Sequence, residues 1–152
     1  MRQTRILRVG VLAGIAGGLA EIAWVGLYGA LTGADTASVA RGVAGAFSPA
    51  LASGAYGVAS GIAIHMLLAV GLGLAVAAAF SAPLLSRVDG WSKSTLVVLT
   101  LGFVWAFNFL VVLPVIDPGF TTLLPIAVTL ASKLLFGVGA AVAFRAEPIR
   151  RR

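Results

Sequence analysis

The sequence predicts an all-α integral membrane protein, a four-transmembrane-helix bundle with a short interfacial helix in its first outer loop. Two observations carry this. Of 152 residues, 60% are hydrophobic and 11% charged, whereas a soluble domain has about 25% charged residues. The apolar residues gather into four runs, at about 9–31, 57–80, 94–115 and 122–144, each close to the roughly 20 residues that cross a hydrocarbon core. The length suits a single membrane domain over 1–152.

The first run follows MRQTRILR. A basic start, a short apolar stretch and Gly18-Leu19-Ala20 resemble a signal peptide with its cleavage site. The apolar pattern nevertheless continues through EIAWVGLYGAL, so a retained first span is the reading carried forward. Gly10, Gly14 and Gly18, with Gly17 beside them, have the spacing that lets membrane helices approach closely. This glycine face could serve a partner helix, or the second or fourth span of the same chain. Glu21 lies one turn beyond Gly17 and should point at protein.

From Thr32 to Tyr56 the chain turns to Ala, Gly, Ser and two opposite charges, too broken to span again. Asp35 or Thr36 can cap a short helix that puts Val39, Val43 and Phe47 on one face, with Ser48-Pro49 ending it. Such a helix is expected to lie in the membrane interface.

The second run, Gly57–Phe80, holds the only histidine, His65, and Gly57/Gly61 and Gly71/Gly73 mark expected close contacts. Pro83, Arg87, Asp89-Gly90 and Lys93 then predict a cytoplasmic turn, with Trp91 as an interfacial anchor. The third run, Ser94–Val115, contains Trp105 and Asn108, and Pro114 with Asp117-Pro118-Gly119 stops it. The fourth, Thr122–Phe144, carries Lys133, and the tail RAEPIRRR suits anionic headgroups.

Charge placement predicts orientation. Excluding Lys133, nine of the ten remaining Lys/Arg residues (Arg2, Arg5, Arg8, Arg87, Lys93, Arg145, Arg150, Arg151 and Arg152) fall on one side of the four-span arrangement and Arg41 on the other. By the positive-inside rule both termini are cytoplasmic, in a bacterial-type inner membrane. The +6 net charge is thus spent at span ends, and with no recognition motif it does not point to nucleic acid. The expected partners are the lipid bilayer and a second copy of the chain or other membrane subunits. The absence of cysteine removes disulfides and thiolate metal sites. A weak internal repeat aligns Gly61–Phe80 with Pro125–Phe144 at six identical positions. If real, it implies two parallel hairpins about an axis along the membrane normal.

An ammonium near the centre of a span costs about 2.5–3.5 kcal/mol on insertion scales, so Lys133 requires a partner. A helix rises about 1.5 Å per residue. Counting from the basic span ends, Glu21, Asn108 and Lys133 reach one depth, with His65 about one turn further out and Trp105 nearby. Glu21, His65, Asn108 and Lys133 are therefore expected to form a buried polar layer.

Three readings of that layer follow. In the first it is structural: Glu21 and Lys133 pair, His65 and Asn108 satisfy hydrogen bonds, and the protein is a helical packing or accessory subunit of a membrane assembly. This is the sequence's leading expectation. In the second, Glu21 and His65 exchange protons in a small proton-linked solute transporter, Lys133 is the counter-ion, and Trp105 is a possible solute wall. In the third, His65 holds haem or a metal, which His65 and Met66 serve poorly because adjacent residues point about 100° apart. No cofactor and no metal are therefore expected. The sequence has no HExxH site, nucleophile elbow, phosphate loop or carboxylate pair, so no enzyme is expected.

Leu19-Ala20-Glu21, a lone first-helix glutamate after Leu-Ala in a four-helix protein, resembles the small multidrug resistance transporters. The resemblance implies a homodimeric proton antiporter whose glutamate is a shared proton and drug site. Those proteins have shorter loops and no equivalent of Lys133.

Overall fold

The computed structural model describes residues 2–82 and 90–146. The predicted turn at Pro83, Arg87 and Asp89 and the terminal arginines Arg150, Arg151 and Arg152 lie outside them. Among the described residues the chain is helical, in seven α-helices, one π-helical turn and one 3₁₀ turn. Four helical stretches, at 3–32, 57–80, 91–116 and 126–146, are long and apolar enough to cross a membrane.

Helix α1 (Arg2–Thr32) starts well before the predicted Val9, since nothing in RQTRILR breaks a helix. It ends where the Gly33 N–H donates to the Gly29 carbonyl at 2.8 Å, with Gly33 at φ 75°, a left-handed cap that glycine adopts without strain. Asp35 then caps α2 (Thr36–Gly45), accepting from the Ser38 N–H. The predicted single loop helix is in fact two. Pro49 does more than end α2, because it occupies the first turn of α3 (Pro49–Ser53), where its missing N–H costs nothing.

Helix α4 (Gly57–Phe80) follows. The third span is α5 (Gly90–Phe107), a π-helical turn (Asn108–Val112) and α6 (Leu113–Ile116). The π turn closes with the Leu113 N–H on the Asn108 carbonyl. Pro114, one residue on, has no N–H to give to the preceding turn. The fourth span starts later than predicted. Thr121 and Thr122 donate their hydroxyls back to Pro118 and Gly119 in a 3₁₀ turn (Phe120–Thr122), and only after Pro125 does α7 (Ile126–Ala146) run on.

Helices α1 and α7 form the central pair, α4 flanks α1, and α5 flanks α7. No substantial contact joins α4 to α5. An exact two-fold between hairpins α1–α4 and α5–α7 would require α5 to meet α4 as α1 meets α7, so the repeat is only half realised in three dimensions. Among the described residues, backbone contact is thus sparse on that side of the bundle.

The core lies toward the end that carries the termini, where Val9, Ala13, Ala77, Val97, Leu101, Phe136 and Ala140 are fully buried. The glycine face is used inside the chain. A Cβ on Gly14 would stand 2.5 Å from Val70 Cα, and one on Gly10 2.8 Å from Leu74 Cα, both on α4. Gly73 of α4 meets Gly10 and Gly14 in return, while Gly17 receives the Phe136 ring of α7. Gly57 and Gly61 are close-contact positions too, but what they admit is the loop: α3 and α2 set the Ala52 and Ala40 carbonyls against them. Gly71 corrects the expectation, since a Cβ there would meet nothing within 4 Å.

Helices α2 and α3 therefore roof the other end of the bundle by packing on α4. The Val39, Val43 and Phe47 face lines a cavity, so this helix turns its apolar face to the bundle. At the terminal end, Arg145 donates to Ser94 Oγ at 2.9 Å and lies 3.8 Å over the Trp91 ring, fastening α7 to the start of α5.

Candidate functional site

The glycine contacts determine which polar groups meet. Because α1 and α7 run antiparallel and Gly17 admits Phe136, Glu21, one turn later on α1, falls opposite Lys133, one turn earlier on α7. Gly18 admits Ala69 of α4, and by the same antiparallel step Glu21 also falls opposite His65. The carboxylate thus stands where three helices converge.

Lys133 Nζ lies 2.7 Å from Glu21 Oε1 and 4.9 Å above the Phe136 ring. Ser132 donates its hydroxyl to the same oxygen at 3.4 Å. Glu21 is 5% exposed, so this pair belongs to the class whose value depends on extra hydrogen bonds offsetting desolvation. The other oxygen has none. Oε2 faces His65 Nε2 at 3.6 Å, beyond hydrogen-bond length. Both atoms are buried without a hydrogen-bond partner. A buried polar atom left unsatisfied costs about 1–3 kcal/mol, and here two face each other.

The two residues line a cavity of about 810 Å³, with these atoms covered behind its surface. The cavity is bounded by α1, α2, α4, the π turn, α6 and α7, with mainly apolar walls that include Val25, Val43, Leu72, Phe109 and Phe120. Glu21, His65 and Lys133 are the titratable groups on it.

The four predicted polar residues all reach this cavity, but they do not form one buried layer. Glu21 is buried, and His65 and Lys133 are mostly covered, at 27% and 19% side-chain exposure. Asn108 is exposed on the cavity wall where the π turn begins. Trp105, expected in the wall, stands behind it. Its indole N–H donates to Thr129 Oγ1 at 3.1 Å, and its ring stacks on Phe109 at 5.7 Å; Thr129 and Phe109 themselves line the cavity.

Ser132, Thr129 and Trp24 were missed from sequence. Hydroxyl residues are common in spans and give no signal alone, although Ser132 is adjacent to the one charge in its helix. Trp24, whose indole donates to the Val128 carbonyl at 3.0 Å, reads like any apolar residue. Among the described residues no three His, Cys, Asp or Glu side chains gather in a metal-binding group.

No family model, curated protein or solved structure matches this chain. The likeness to small multidrug resistance transporters therefore rests on Leu19-Ala20-Glu21 alone, and Glu21 finds its partners within one chain.

Proposed function

We propose that the protein is a small membrane carrier in which a proton and a solute compete for the Glu21–His65–Lys133 centre. One observation supports this above others: Glu21 Oε2 and His65 Nε2 are buried, unpartnered and 3.6 Å apart beside a large cavity that both residues line. A register-fixing network would satisfy these atoms with each other or with neighbours. A binding site keeps them for an occupant. A proton shared between the two groups and a hydrogen-bonding solute would each satisfy these atoms, so the two compete. The accessory-subunit reading loses one support, since the glycine face that could have served a partner helix packs on α4 and α7.

The direct test is proton flux. In liposomes with an imposed pH gradient, wild-type protein dissipates the gradient faster once a native membrane-lipid extract is added as the solute source. Glu21→Gln loses that acceleration while remaining folded and inserted. An equal response in both proteins rejects the carrier reading and returns the centre to a structural role.

The proposed setting is a bacterial-type inner membrane with both termini in the cytoplasm. Single cysteines at positions 35 and 117 should react with impermeant thiol reagents from outside, and a cysteine at position 5 only after permeabilisation. Labelling of all three from one side contradicts the four-span orientation.

A further inference from the structure

We infer that the occupant of the cavity is a neutral, lipid-soluble molecule with a single hydroxyl head, admitted from the bilayer through the gap between α4 and α5. The inference rests on the carrier reading and names its solute class.

The head is specified by the two unsatisfied atoms. A carboxylate oxygen only accepts, so the occupant must donate to Oε2. His65 Nε2 is 3.6 Å away and both atoms are covered, so the head enters by parting the two side chains, after which one small group touches both. A hydroxyl fits because it donates its O–H to Oε2 while its oxygen accepts from an Nε2–H tautomer of the imidazole. The charge of the head is set by Lys133, whose ammonium at 2.7 Å already balances Glu21. A cationic head would leave one uncompensated positive charge among apolar walls, and an anionic head would meet Oε2 as a like charge. The body is specified by the rest of the cavity, about 810 Å³ in all, far more than a water molecule requires.

The route is specified by the helix arrangement. Among the described residues the backbones of α4 and the third span approach each other little, and the cavity lining is exposed on each, at Leu68 of α4, 53% exposed, and at Asn108 of the π turn. Leu68 is twelve residues from the end of α4 at Phe80, about 18 Å along the helix and so within the hydrocarbon layer. An opening at that depth faces acyl chains, where water-soluble solutes are scarce and lipid-soluble ones are concentrated. Helices α1 and α7 close the opposite side.

The test is photolabelling in nanodiscs with a long-chain alcohol carrying a diazirine in its tail, with sites mapped by mass spectrometry. Labels on Leu68, Leu72 and Phe109 report the cavity. Labels on Leu67 and Phe103, which are 72% and 73% exposed on the outer surface, report general lipid contact. Cavity labelling should be displaced by 1-decanol but not by decane or decylammonium, and outer-surface labelling should respond to none of them. Loss of a hydrogen bond to a charged group is worth about 1.5–3 kcal/mol, so Glu21→Gln should weaken cavity labelling about tenfold or more. Leu68→Trp obstructs the gap without touching the polar centre, and should remove cavity labelling in a protein that keeps wild-type stability. Displacement by decylammonium, displacement by decane, or undiminished cavity labelling of Leu68→Trp overturns the inference. Extract-stimulated proton flux without cavity labelling leaves the carrier standing and rejects the alcohol. Decanol-specific cavity labelling without extract-stimulated proton flux keeps the alcohol and rejects the carrier.

Discussion

The two ends of the bundle solve the same problem by opposite means. At the terminal end, α1 and α4 meet through Gly10, Gly14 and Gly73 at backbone distance, and no room is left for side chains between them. At the roofed end the same α1 carries Glu21 and Trp24, the gaps are bridged by an ion pair and an indole hydrogen bond, and a cavity remains. In lipid, apolar side chains gain little by leaving solvent, so helices associate through close van der Waals contact or polar bonds. Close contact uses up volume, whereas polar bonds can span it. The difference explains how a small chain keeps a hollow without collapsing around it.

The largest expected effect breaks the polar end. Lys133→Met leaves the Glu21 carboxylate buried without its cation, which costs about 3–5 kcal/mol for a fully buried pair. About 3 kcal/mol is expected here, because Lys133 keeps 19% exposure. Adding Glu21→Gln should restore part of the loss, and strictly additive effects in reversible unfolding in detergent would show that the pair contributes no coupling.

A smaller effect breaks the dry end. Gly14→Ala puts a methyl 2.5 Å from Val70 Cα, against backbone that cannot swing aside, and should cost about 1–3 kcal/mol. Gly71→Ala is the matched control on the same helix pair, with nothing within 4 Å of the new methyl, and should stay within about 0.5 kcal/mol of wild type. Equal losses at both positions would mean that glycine contact does not hold this end together.

The smallest effect sharpens the comparison at the roof. Hydrogen bonds from the Ser38 hydroxyl and then its N–H hold the Asp35 carboxyl below its ordinary value of 3.8. A depressed folded-state value means that the cap stabilises α2 fully above about pH 4. It is lost as pH falls through the lower folded value. The Ser38 amide resonance should follow this titration while core amides such as Leu101 stay unchanged. A Ser38 signal that is flat through the acid range would place the cap elsewhere.

The four spans were legible because bilayer thickness imposes a length on apolar runs. Their ends were less so. Thr122 and Leu123 look apolar enough to belong to a span, yet the threonine hydroxyls satisfy a tight turn before Pro125. The meeting of Glu21, Lys133 and His65 was legible from depth, since each is costly in lipid and each must be paired or watered. Asn108 and Trp105 were not, because a depth count gives the level of a side chain but not its bearing around the helix: Trp105 turns to Thr129 of α7, and Asn108 is exposed where the π turn begins. Phe109, inside the π turn, and Leu113, just after it, line the cavity. The roof was legible as amphipathic, but its choice of α4 over lipid depends on Gly57 and Gly61, which alone admit two carbonyls.

The ion pair has a consequence for biosynthesis. Ser132, beside Lys133, follows Glu21 by 111 residues, and at 5–20 residues per second the chain needs roughly 6–20 s to make that distance. For that interval α1 and α4 can already be zipped through their glycines while the carboxylate waits without its cation. Only the last helix completes the centre. A nascent chain that stalls before α7 thus holds Glu21 without the cation that pairs with it in the finished fold.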